Sequence, residues 1–111
     1  MDVVFLESAR SDLQDLRSYL IENFSAEIWR DTYGKLKQAI RRLKNFPLSG
    51  SVPQEIKDFG LSHYRQVVSG MNRIVYEVRH DTIFIHMIVD VRRDMTTLLA
   101  QRLLPHLVAP T

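Results

Sequence analysis

With 111 residues, 45% of them hydrophobic and 25% charged, the chain has the make-up of one soluble globular domain with a thin core. It contains no cysteine, which excludes a disulfide framework, a thiolate nucleophile and a cysteine metal site. The net charge of +2 is small but uneven, with six arginines, no lysine and only four acids from Leu61 onward. Local basic faces of this kind suit an acidic protein partner or a nucleic-acid contact.

Met1-Asp2 opens without a basic-then-apolar leader, and the longest apolar run, Ile83 to Val89, is interrupted by His86 and too short to cross a bilayer. A cytoplasmic location without membrane contact is expected. Val3 to Leu6 is a β-branched and aromatic run that predicts a strand. Ser8 is placed to cap a helix whose apolar stripe is Ala9, Leu13, Leu16, Leu20 and Phe24, with Asp12, Asp15, Arg17 and Glu22 on an acidic outer face. Ser25 predicts a second N-cap, with Glu27 complementing the dipole, and Trp29, Tyr33, Leu36, Ile40 and Leu43 give the next stripe. Pro47 ends it. Two helices with almost no linker make an αα-hairpin.

Pro47 to Gly60 reads as one long connection, fastened by Val52 and Ile56; a loop of that length in a small domain is more often functional than inert. Beyond it lies a β-meander. Tyr64 to Val78 is two strands about a Gly70-Met71 turn, and Arg79 to Thr82 is a tight hairpin with His80-Asp81 at its tip. That tip places Ile74, Tyr76, Val78, Ile83, Ile85, Met87 and Val89 on a core face. The opposite face, with Arg73, Val75, Glu77, Phe84, His86 and Ile88, is mixed and reads as open to a partner. Asp94 is placed to cap a last helix through Leu103 that Pro105 stops. The result is one domain, residues 1–104, with a flexible tail, 105–111.

Arg65, Arg73, Arg92 and Arg93 are the leading site candidates, because a guanidinium fork grips carboxylate or phosphate bidentately. The plainer account is solubility and edge protection of exposed strand positions. The histidines have no metal-ligand spacing, no carboxylate cluster joins them, and no pattern calls for a metal or cofactor. His86 is the one placed for proton transfer, on the same face as Arg73 and Glu77. Lys35, Lys37, Arg41, Arg42 and Lys44 read as a solvated helix face.

The order strand, two helices, Pro/Gly loop, meander and short helix resembles the RelE/ParE superfamily of bacterial toxins. The carrying motifs are Asp12-Leu13, Phe46-Pro47-Leu48-Ser49-Gly50, Tyr64-Arg65, Gly70 to Tyr76 with Arg73 inside it, and Arg92-Arg93-Asp94. The resemblance implies an α+β fold, with an N-terminal strand and αα-hairpin packed on an antiparallel meander and a short C-terminal helix. It implies the toxin half of a toxin–antitoxin pair, held by a cognate antitoxin in a hetero-oligomeric complex, without sequence-specific DNA binding of its own.

Members similar to RelE cleave messenger RNA on the ribosome, and members similar to ParE poison DNA gyrase. Here Val67 stands where one sheet lysine of the ribonucleases is placed, and Leu98-Leu99 where their C-terminal tyrosine is placed. Phosphodiester cleavage needs a base and an acid besides charge stabilisation. The departures point to a non-enzymatic gyrase inhibitor. The alternative, a RelE-like endoribonuclease, would rest on Arg65, Arg73, Arg93 and His86. For partner binding the expected residues are Arg65, Arg73, Val75, Phe84, Ile88, Arg92 and Arg93, with Val75, Phe84 and Ile88 exposed.

Overall fold

The computed structural model describes residues 1–107. The N-terminal strand β1 (Asp2–Phe5) leads into α1 (Glu7–Asn23) and α2 (Ala26–Asn45). The meander is β2 (Tyr64–Ser69), β3 (Asn72–Arg79) and β4 (Thr82–Asp90), and α3 (Met95–Leu107) closes the chain. The sheet order is β1-β4-β3-β2, with β1 parallel to β4 and the meander antiparallel. This is the expected α+β architecture.

Ser25 caps α2, its hydroxyl accepting from Ile28 N at 3.1 Å. Asp94 caps α3, its carboxylate accepting from Thr97 N at 3.4 Å and from the Thr97 hydroxyl at 2.9 Å. Ser8 does something else: α1 starts from Leu6, and Ser8, inside the helix, donates to the His86 carbonyl at 3.1 Å. One turn on, the Asp12 carboxylate accepts from Ile88 N at 3.0 Å. β1 pairs with β4 only as far as Ile85, so these two side chains finish the pairing that β1 begins. An i, i+4 pair on one helix face reaches along the bared strand edge. Asp12 is accordingly buried rather than part of an acidic outer face. Its neighbours Ala9 and Leu16, at i−3 and i+4, lie on the same side of the helix.

The β3–β4 hairpin has the expected two-residue tip, with His80 and Asp81 both at positive φ (50° and 62°), as a type I′ turn requires. Up to Tyr76↔Ile85 the pairing follows that tip. A β-bulge then intervenes, so Val75 pairs with Met87 and Ile74 with Ile88. A bulge reverses the facing of every later residue on its strand. Met87 and Val89 therefore leave the predicted core face, and Ile88 joins it.

Two cores result, one on each side of the sheet. The hairpin side holds Leu36, Ile40, Leu43, Ile74, Tyr76 and Ile85. The other side, expected to be open, is covered by α3 and by a short 3-10 helix, Gln54–Phe59, within the long connection. Ile56, Val75, Met87, Met95, Leu99 and Leu103 are buried there. Val75 and Ile88 are 0% and 3% accessible, so neither is the exposed anchor expected from sequence. The helix also runs past Pro105 to Leu107 instead of stopping. Residues 108–111 of the predicted tail lie outside the described residues.

Candidate partner-binding groove

Three of the four candidate arginines are held within the chain. Arg65 donates to the carbonyls of Leu48 (3.2 Å) and Gly50 (2.7 Å). The buried Tyr76 phenol donates to Pro47 O at 2.7 Å and accepts from Gly50 N at 3.0 Å. Ser51 and Gln66 exchange backbone bonds alongside. The motifs Phe46-to-Gly50, Tyr64-Arg65 and Gly70-to-Tyr76 thus form one latch, binding the exit of α2 to the sheet. Glycine is required at its centre, because a Cβ on Gly50 would stand 2.6 Å from both the Tyr76 hydroxyl and Gln66 O.

Arg73 donates to both oxygens of Glu55 at 3.0 Å, fixing the 3-10 helix on β3. Arg92 forks onto Asp90 at 2.7 and 2.9 Å, and its own backbone N–H also bonds that carboxylate. The hydrogen bond from Arg92 is the main reason the Asp90 carboxyl is held down to about 2. Arg93 is exposed and has no side-chain ion pair among the described residues. Phe84 lies beneath the Arg79 guanidinium, 4.7 Å from the ring centre. The sequence candidates are therefore dispersed, and only Arg92 and Arg93 share a cavity.

That cavity is an open groove of about 920 Å³ between the hairpin and the far end of the meander. One wall carries Leu16 and Tyr19 of α1 with Phe24 at its C-cap, and the other carries Met71 with Arg92 and Arg93. Tyr19, Phe24 and Met71 are 52%, 63% and 51% accessible. Large apolar side chains at that exposure, rimmed by charge, make the groove the candidate binding surface of this chain. The groove's inner end is closed by Asp12, whose oxygens accept from Arg102 at 2.6 and 2.9 Å, joining α1, β4 and α3. That bond raises the Arg102 pKa. Neither residue was among the sequence candidates. The available signal was an acid flanked at i−3 and i+4 by the apolar stripe.

A separate polar cluster lies on the α3 side of the sheet. Glu77 accepts from or shares a proton with His86 at 2.8 Å, both buried, and Arg79 (3.3 Å) and His63 (3.9 Å) flank the carboxylate toward solvent. Tyr64 meets the His86 ring edge-on at 4.9 Å, and burial with the Glu77 charge raises its phenol pKa. Among the described residues no group of His, Asp or Glu is arranged to hold a metal, and no helix is long and apolar enough to cross a membrane.

The strand–hairpin–meander–helix order, with the sheet order β1-β4-β3-β2, defines the fold class of this α+β domain. Residues 3–96 match the family described as "ParE toxin of type II toxin-antitoxin system, parDE", and the chain belongs to that family. Among solved structures it is similar to a chain of a chromosomal ParDE TA system from P. aeruginosa, with a TM-score of 0.68. The identity is 14%, over 83% of this chain and 97% of that one, so the likeness is one of fold. No curated protein matches.

Proposed function

We propose that this ParE-family toxin acts in the cytoplasm as a non-catalytic inhibitor of DNA gyrase and is neutralised by direct binding of its cognate antitoxin. The observation that carries the reading is the engagement of the sheet arginines. Arg65 holds two loop carbonyls, Arg73 holds Glu55 and Arg92 holds Asp90. A guanidinium already bonded inside the fold would have to break those bonds before stabilising a phosphorane. The exposed groove suits protein recognition, with apolar walls for packing and Arg93 for an acidic partner residue.

The test is gyrase supercoiling with purified toxin, alone and after mixing with the product of the neighbouring reading frame. Inhibition by the toxin, relieved by the second protein, is the expected result. Unaltered supercoiling with toxin in large excess over gyrase would overturn the proposal.

One observation favours a second reading, a ribosome-dependent endoribonuclease. Glu77 and His86 are an acid–base pair with Arg79 and His63 on its solvent side. Discrete messenger cleavage on expression, abolished by His86→Gln, would establish it; DNA-damage signalling with intact messengers would dismiss it.

A further inference from the structure

The fold uses the cations of the sheet and leaves those of α2 over. Arg65, Arg73, Arg79, Arg92 and Arg102 each hold an acid or a carbonyl. On α2, Lys35 pairs with Asp31, and beyond Asp31 the helix has no acid. Arg42 and Lys44 lie in the last turn, where the helix dipole favours a cation. Arg30, Lys37 and Arg41 have no ion pair among the described residues and stand too far from that end for the dipole to explain them.

Arg30, Lys37, Arg41 and Lys44 fall at i, i+7, i+11 and i+14. At 3.6 residues per turn they share one side of the helix, in a line about 21 Å long at 1.5 Å per residue. All four are exposed, and so is Gly34, which lies on the same side between Arg30 and Lys37. A glycine inside a helix weakens it relative to alanine. Nothing within the fold calls for this one: its φ is not positive, and an added Cβ would meet no atom within 4 Å. What the missing side chain provides is close access to the helix backbone from outside the chain. Tyr33 borders the line, but its ring is already engaged. It stacks on Trp29 at 5.1 Å and 14°, and the Lys37 ammonium sits 4.7 Å from its centre.

From the line of cations and the bare backbone at Gly34, we infer that this face of α2 docks on the phosphates of duplex nucleic acid, independently of sequence, with Gly34 at the closest approach. Cations so placed gain affinity by releasing the duplex's condensed counterions. A protein partner would need apolar anchors at the centre of the contact. The positions beside the cations, Gly34, Gln38 and Asn45, supply none. A single strand would need open aromatic faces for its bases, and Trp29 and Tyr33 are stacked on each other. A second copy of this chain would bring two lines of like charge together. The inference does not rest on the gyrase reading and leaves the α1 groove to other contacts.

The test is fluorescence anisotropy with the full chain and a labelled DNA duplex over a salt series, with an RNA duplex, a single strand and polyglutamate as comparators. The plot of log affinity against log salt should have a slope of about −3 to −4, as four phosphate contacts at about 0.9 each require. Lys37→Gln/Arg41→Gln should flatten it by about 2. Lys35→Gln/Arg42→Gln removes the same charge off the line and should leave the slope nearly unchanged. Gly34→Ala should weaken duplex binding several-fold while its thermal midpoint stays level or rises, a divergence that loss of folding would not produce. Binding of either duplex supports the inference, and the tighter of the two names the source of the phosphates. Equal slopes for the two double variants, wild-type affinity in Gly34→Ala, or tighter binding of the single strand or polyglutamate would each overturn it, as would no duplex binding at low salt.

Discussion

At the scale of single residues, the buried contacts set the largest expected effects. Asp12 joins three elements through Ile88 N and Arg102. Asp12→Ala would leave a partly buried guanidinium and a strand amide without partners, at a cost of about 3–5 kcal/mol. Chemical denaturation should read this as a lower midpoint with unchanged slope. Gly50→Ala should cost at least as much as a buried overpacking mutation, about 1–3 kcal/mol, because its Cβ meets a backbone oxygen and the Tyr76 phenol at once.

Asp90 predicts a specific acid response. Its carboxyl titrates at about 2 in the folded chain, against about 3.9 when unfolded. A depressed carboxyl contributes stability above its unfolded pKa and loses it as pH falls through the folded one. The wild type should therefore lose stability between about pH 4 and pH 2 more steeply than Asp90→Asn, and the two curves should run parallel above about pH 5. The side chains of this pair are accessible, so the gap will be small. Acid titration followed by circular dichroism checks it.

At the scale of elements, α3 and the 3-10 helix are what make the second core. Met95, Leu98, Leu99 and Leu103 are all buried, and each buried apolar side chain contributes about 1.5–3 kcal/mol. Removing the chain after Asp94 forfeits on the order of 6–12 kcal/mol of gross burial, comparable to the whole stability of a small domain. That truncation should bind the dye ANS and lose fixed tertiary packing.

Much of the element map was legible because its signals are local. Ser25 and Asp94 cap as written, His80-Asp81 turns as written, and the stripe Leu36, Ile40, Leu43 is buried as written. What could not be read was the bulge opposite Val75, which depends on how Ser8, Asp12 and α1 bind β4 and has no sequence signature at His86. The facing of Met87, Ile88 and Val89 followed from that single register step, and with it the mistaken expectation of an open sheet face. The arginines were legible as important but not as structural. Glu55, Leu48 and Gly50, their partners, lie in the connection whose path sequence leaves undetermined.

At the scale of the whole molecule, the two cores share one sheet whose central strands β3 and β4 contribute to both. Neither core is complete when the sheet opens, so the domain should unfold in one step. Trp29, the single tryptophan, sits on α2 and reports the hairpin side. Its fluorescence transition should coincide with that of far-ultraviolet circular dichroism in urea; separated midpoints would show that the α3 side opens independently.

The parallel joining of β1 to β4 also fixes when this protein can first exist. Ser8 bonds His86 across 78 residues, and the strand before it pairs equally far along the chain. At synthesis rates of about 5–20 residues per second, the N-terminal strand waits on the order of 4–16 s for its partner to be made. Long-range pairing of this sort also folds slowly once the chain is complete. The newborn polypeptide therefore passes through an interval in which its hairpin exists without a sheet, and the domain becomes whole only as its last third emerges.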